Sequence, residues 1–237
     1  MARIKGILFD KDGTIVDFNR TWFAIGDMLA LEAAGGDRAR ADVLMTQAGY
    51  DFDQKRFLAD SVFAAGTNAD VVALWYPDLE PGLRGELLVR FNGITATNGA
   101  VKAVALPGVV KAISRLHDQH YRLGVATNDS TGGAEQTLLM LGIAQMFDAA
   151  YGYDAVARPK PAPDTVESFC LLTGLKPAEI AMVGDNSHDL EMAHNAGCGL
   201  AVGVLSGTGT QESLGTRADV VLGSVTDLPD YLATRAE

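Results

Sequence analysis

Residues 8–14 read LFDKDGT, and the two aspartates in this stretch, Asp10 and Asp12, decide how the rest of the chain is read. They follow a short, β-branched, apolar run, Ile4 to Phe9, which predicts a buried strand ending in a polar turn. On a continued strand both carboxylates would point the same way and repel, so a cation or a shared proton is needed to relieve them. If the chain leaves the strand at Lys11, Asp12 swings to another side, and Gly13 permits the turn. Taken alone, DKDGT is equally well a solvated turn.

Outward from this turn the chain changes character twice. From Asn19 to about Gly99 the pattern is helical: Trp22, Phe23, Met28, Leu29 and Leu31 fall at near-helical spacing, and Gly35-Gly36 ends that segment. Asp37 is placed to cap a second helix ending near Gly49, and further helical patterns run through Phe57 to Ala64 and Glu86 to Phe91, with no strand expected. After Leu106-Pro107-Gly108 strands and helices alternate. Val109 to His117 is amphipathic, Tyr121 to Thr127 reads as a strand and Ser130 to Leu141 as a helix. Ile180 to Gly184 is a strand, Ser187 to Asn195 a helix, and Leu200 to Leu205 and Val220 to Leu222 are strands. Such alternation predicts an α/β fold with a mainly parallel sheet, residues 1–17 and 100–237 forming the core and 18–99 an inserted all-helical domain.

Composition narrows the classes of function. The 237 residues are 48% hydrophobic and 21% charged, enough to bury a sizeable core. Thirty acids against 19 bases give a net charge of −11, and no basic block interrupts it, which argues against a nucleic-acid partner. No apolar run reaches the roughly 18 residues of a membrane span, and the longest uncharged stretch, Ala196 to Gln211, is rich in glycine, serine and threonine. The two cysteines, Cys170 and Cys198, have no metal-like spacing and read as small buried thiols of a cytoplasmic protein.

Open parallel sheets bind ligands beyond the carboxyl ends of their strands, and three predicted strands end in chemically capable residues. After the first come Asp10 and Asp12. After the second, Thr127 and Asn128 precede Ser130, a candidate helix N-cap, so a hydroxyl, an amide and free backbone N–H groups meet at a corner suited to an anion. After the third, in VGDNSHD, Asp185 ends the strand and Asp189 falls in the first helical turn, so both can face one point as oxygen ligands for Mg²⁺. Capping by the helix dipole is the bland alternative for Asp189. His188 and His194 read as surface helix residues. Lys160, in RPKPAPD, is fixed between two prolines as a stationary cation.

Taken in order and spacing, DKDGT, Thr127 in LGVATND, Lys160 in RPKPAPD and GDNSHD resemble the four motifs of the haloacid dehalogenase superfamily. The resemblance covers almost the whole chain, and within the superfamily the sequence looks most like the phosphoglycolate phosphatase group. It implies a Rossmann-like core with a helical cap between the first and second motifs. It further implies Asp10 as the nucleophile that becomes an aspartyl phosphate and Asp12 as the acid and base. Mg²⁺ would be bound by Asp10, the Asp12 carbonyl and Asp185, with Asp189 in an outer role, while Thr127, Asn128 and Lys160 would hold the phosphoryl oxygens. Lys11 departs from the aromatic residue commoner at its position, and the motifs give it no role.

Residues 15–100 hold 7 lysines and arginines against 12 acids, unlike a surface for a polyanion. The expected substrate is a small phosphorylated metabolite, phosphoglycolate foremost, with Arg20 and the Lys55-Arg56 pair available for its carboxylate. A sugar-phosphate phosphatase or a β-phosphoglucomutase-like phosphotransferase is the alternative, and a non-catalytic phospho-binding module a remoter one. The protein is expected to act as a monomer or homodimer.

Overall fold

Strand β1 (Gly6–Phe9) is buried along its whole length in the middle of a sheet in the computed structural model, which describes residues 3–235. A helical segment follows: α1 (Phe18–Ala33), α2 (Arg38–Gln47), a hairpin of β2 (Tyr50–Asp51) and β3 (Arg56–Phe57), α3 (Val62–Ala65), α4 (Asn68–Trp75) and α5 (Pro81–Lys102). Alternation then resumes with α6 (Val109–Asp118), β4 (Arg122–Ala126), α7 (Thr131–Met140), β5 (Ala149–Tyr151) and α8 (Asp164–Thr173). The chain ends with β6 (Ile180–Gly184), α9 (Ser187–Ala196), β7 (Leu200–Val204), α10 (Gln211–Gly215), β8 (Val220–Leu222) and α11 (Leu228–Thr234).

The six-stranded sheet has the order β5-β4-β1-β6-β7-β8, with every pairing parallel. The chain works outward from β1 to one side, then returns to build the other, so the crevice of a doubly wound sheet falls at the carboxyl ends of β1, β4 and β6. Phe9 is level with both Val125 and Val183. Asp10, Thr127 and Asp185 therefore leave three neighbouring strands within two residues of one level.

Alternation along β1 explains why helices cover both faces. Ile7 and Phe9 pack with Val125, Val183, Ile113 and Leu138 on one face, while Leu8 packs with Met182, Val166, Phe169 and Leu190 on the other. The helical segment has a separate apolar cluster built around Trp22, Ile25, Leu29, Met45, Phe57, Trp75 and Phe91.

Within that segment the expectation of helices alone is corrected. The Asp51 carboxylate accepts the N–H groups of Asp53 and Gln54 at 2.9 Å each and Lys55 takes a left-handed φ of 54°, so turn chemistry makes a hairpin where the apolar pattern suggested helix. Only Val62 to Ala65 of the predicted 57–64 stretch is helical, with Ala65 one residue past it. Helix α5 extends far beyond Glu86 to Phe91: Pro81 at its start presets the first turn, while Gly82, Gly85, Gly93 and Gly99 blur its periodicity. Strand β5, three residues on the sheet edge, and helices α4, α8, α10 and α11 also lay outside the sequence expectations. Among the described residues no helix is long and apolar enough to cross a membrane. Both cysteines are free thiols, half-buried and not fully buried as the sequence suggested, and desolvation pushes the Cys198 thiol up to about 12.

Candidate active site

Asp10, Asp185 and Asp189 converge at the crevice, each offering a carboxylate oxygen within 4.8 Å of the others. The Lys160 ammonium lies among them, 2.6 Å from Asp10 Oδ1 and 2.6 Å from Asp189 Oδ1. All four side chains are buried. Asp185 is oriented by three donors: the Thr208 N–H at 2.7 Å and hydroxyl at 3.1 Å on Oδ2, and the Thr14 hydroxyl at 3.4 Å on Oδ1. Gly13 has a φ of 84°, and a Cβ there would lie 2.6 Å from the Asp185 carboxylate, so the turn needs glycine for conformation and for space. Asp189 caps α9, the bland reading of its sequence position, because Oδ2 accepts the Asn186 N–H at 3.1 Å, while Oδ1 faces Lys160.

Burial is the largest influence on these groups. It pushes Asp10 up to about 6, with Lys160 opposing and the Asp189 charge reinforcing the rise. Asp185 is raised well above the ordinary carboxylate value by burial and by the charges of Asp10 and Asp189. Asp189 is raised by burial, partly offset by Lys160. Burial alone would lower Lys160, but its two carboxylate partners outweigh that and raise it. Three carboxylates facing one ammonium leave a deficit of two positive charges. An all-oxygen donor set with that deficit fits a hard divalent cation.

Asp12 turns away from this cluster. Its Oδ2 lies 2.6 Å from Lys11 Nζ, and its Oδ1 accepts the Trp22 indole N–H at 2.5 Å. The Asp12 carboxyl is thus not among the clustered oxygens, and a metal contact by this residue is left to its backbone carbonyl, as the motif resemblance implies.

Thr127 is buried at the end of β4, where its hydroxyl accepts the Asp129 N–H at 3.1 Å, and the Ser130 hydroxyl caps α7 by accepting the Gly133 N–H. The Asn128 side chain reaches across the crevice and donates to the Ala65 carbonyl at 2.9 Å. His188 Nδ1 meets the same carbonyl at 3.2 Å, and the Asp60 carboxylate accepts the Ser187 N–H at 3.1 Å. These contacts close α3 over the strand ends and leave a cleft of roughly 660 Å³, its open mouth included. His188 is therefore a half-buried cleft residue and not the surface residue expected from the sequence, whereas His194 is exposed.

Arg20 is not brought into the cleft. It is exposed on α1, with its backbone N–H held by the Asp17 carboxylate that caps the helix. Lys55 and Arg56 are exposed on the hairpin, also away from the lining. The helical segment instead contributes Trp22, Phe63 and Val71, with Thr67 and Asn68 as polar groups.

Thr208 was not found by reading the sequence, although a signal existed. SGTGT lies one residue beyond β7, a fourth strand end at the same edge of the sheet, and a Cβ on Gly207 would lie 2.0 Å from Asp185 Oδ2.

The model of the haloacid dehalogenase-like hydrolase family matches residues 4–197. The chain belongs to that family. It is 30% identical over 240 residues to the phosphoglycolate phosphatase of Salmonella typhimurium, covering 96% of this chain and 92% of that one. It is likewise 30% identical over 237 residues to the phosphoglycolate phosphatase of Shigella flexneri, covering 95% and 91%. A crystal structure of a predicted phosphoglycolate phosphatase from Haemophilus somnus shares the fold at a TM-score of 0.74 and 24% identity, over 98% of this chain and 99% of that one. As a haloacid dehalogenase-like hydrolase with such relatives, the protein is a phosphatase, a phosphoric monoester hydrolase.

Proposed function

We propose that the protein hydrolyses a small phosphate monoester through a phosphorylated Asp10. The convergence of Asp10, Asp185, Asp189 and Lys160 at one crevice is the observation that carries this reading. Asp10 attacks phosphorus as the ester oxygen–phosphorus bond breaks, and Asp12 gives its proton to the departing alkoxide. Asp12, now ionised, takes a proton from water, which attacks the acyl phosphate and returns Asp10 and inorganic phosphate. Thr127, the Asn128 N–H and Lys160 hold the phosphoryl oxygens, and Gly13 keeps the turn close enough for Asp10 and Asp185 to act together.

Asp10, Asp185 and the Asp12 carbonyl would hold Mg²⁺, with Asp189 in an outer position, and the cation would supply charge neutralisation and phosphate orientation. Residues 18–99 act as a cap that encloses the substrate over a core of 1–17 and 100–237, in a cytoplasmic enzyme working as a monomer or homodimer.

Phosphoglycolate is the leading substrate, because the 30%-identical relatives carry that name. A second reading, a sugar-phosphate phosphatase or a related phosphotransferase, has its own observation. The cap side of the cleft contributes aromatic rings, Thr67 and Asn68 and no lysine or arginine, which suits a neutral leaving group better than a carboxylate. A metal-dependent panel of phosphate esters tests both. Phosphoglycolate turning over fastest supports the first, sugar phosphates exceeding it by orders of magnitude support the second, and full activity after exhaustive chelation contradicts the mechanism.

A further inference from the structure

Lys11 is the one charged residue of the DKDGT turn to which the reaction above assigns no part. Its side chain is only 1% exposed, and a lysine is almost never buried to that degree without paired charges. Its Nζ lies 2.6 Å from Asp12 Oδ2, 3.1 Å from Asp129 Oδ2 and 5.3 Å from the centre of the Trp22 ring. The other Asp12 oxygen accepts the Trp22 indole N–H, and the other Asp129 oxygen accepts the Ser130 N–H at 2.7 Å. Lys11 therefore ties the end of β1 to the end of β4, and Asp12 to the neighbourhood of the phosphoryl cradle at Thr127.

The crevice contains two buried lysines serving two separate carboxylate sets. Lys160 pairs with Asp10 and Asp189, while Lys11 pairs with Asp12 and Asp129. Without Lys11, Asp12 would keep one fixed oxygen, and the nearest remaining buried ammonium would be Lys160, which phosphoryl transfer needs elsewhere. One hydrogen bond leaves a carboxylate with more than one accessible rotamer, and a partner on its other oxygen narrows that choice.

We infer that Lys11 is a positioning residue, which holds the Asp12 carboxylate in the orientation from which it serves the leaving group. This rests on the role of Asp12 proposed above. A poorly leaving alkoxide needs a well-placed acid, whereas nitrophenolate leaves without one, so misplacement of Asp12 has a signature that general structural damage lacks.

The test compares phosphoenzyme formation from an alkyl phosphate and from p-nitrophenyl phosphate in the wild type, Lys11→Met and Asp12→Asn. Lys11→Met is expected to slow the alkyl ester by roughly 100-fold, the lower range for loss of acid catalysis. The initial burst of nitrophenolate should stay within about threefold, and the substrate concentration giving half the maximal rate of phosphoenzyme formation should be similarly unchanged for both esters, because the phosphoryl cradle is intact. Parallel loss on both esters, or loss on neither, overturns the inference. If Asp12→Asn shows the leaving-group contrast and Lys11→Met does not, the role of Asp12 stands and that of Lys11 falls. If neither shows it, both fall. Should Lys11→Met fail to fold because the partly buried Asp12 and Asp129 carboxylates lose their shared cation, Lys11→Gln removes the charge while keeping an N–H donor, and the same contrast is read on it.

Discussion

One wall of the cleft is made by strand ends and carries Asp10, Asp185, Asp189 and Lys160, whereas the opposite wall, from α1, α3 and α4, offers mainly Trp22, Phe63 and Val71. The first wall places single charges on a rigid parallel sheet, each with a named partner. The second is a face of an aromatic cluster in which Phe63 packs against Phe57 and Trp22. On the function proposed above, the difference would separate the reaction from the choice of substrate. Replacing a residue of the first wall should change the chemistry, while replacing a cap residue other than Trp22, which bonds Asp12, should change which ester fits.

The largest effect should come from Asp10→Asn, which is expected to lower kcat by roughly 10⁴-fold or more with the circular dichroism spectrum unchanged, as removal of a nucleophile does. Asp12→Asn should follow, at about 10² to 10⁴ on alkyl esters by steady-state kinetics. Trp22→Phe keeps the ring and removes the indole N–H bonded to Asp12, so roughly a tenfold fall in kcat is expected, in line with the loss of one hydrogen bond to a charged group. Arg20→Ala should change kcat/KM by no more than about twofold, as expected of an exposed side chain outside the cleft. A large loss in Arg20→Ala would break the comparison, since the cap wall would then act by charge.

Acidity gives a further way to sharpen the contrast. Asp10 is raised from 3.8 to about 6, chiefly by burial, and Asp185 and Asp189 shift in the same direction. Such a group binds more protons folded than unfolded, so its stabilising contribution is complete below about pH 4 and is lost as pH rises through about 6. The metal-free protein is therefore expected to lose thermal stability across that window. Mg²⁺ should raise Tm more at pH above about 7 than at about 5, because only the ionised cluster has charge to neutralise. Equal Mg²⁺ effects at both pH values would place the cation elsewhere.

The two regions also differed in how far the sequence could be read. Strands β1, β4, β6 and β7 are short apolar runs followed by polar turns, and each strand end is chemically marked, so Asp10, Asp12, Thr127, Asp185 and Asp189 could be picked out before any coordinates. Lys160 was legible because two prolines frame it. The cap was legible only as helical. The 51–55 turn depends on an Asp51 side chain folding back on its own backbone, and α5 hides its period behind glycines. Arg20 looked useful because it lies close to DKDGT in sequence, but the facing of α1 decides where it goes, and that depends on packing with Phe57, Phe63 and Phe91. The partners of Lys11 were invisible for a similar reason: Asp129 is 118 positions away and meets it only because β1 and β4 are neighbours.

Acid quenching during steady turnover of an alkyl phosphate in the presence of Mg²⁺, followed by mass spectrometry of the peptide containing residues 8–14, tests the central claim most directly. The account predicts one added phosphoryl group on Asp10, absent when Mg²⁺ is chelated. Full turnover by Asp10→Asn, with no phosphorylated peptide in the wild type, would contradict it.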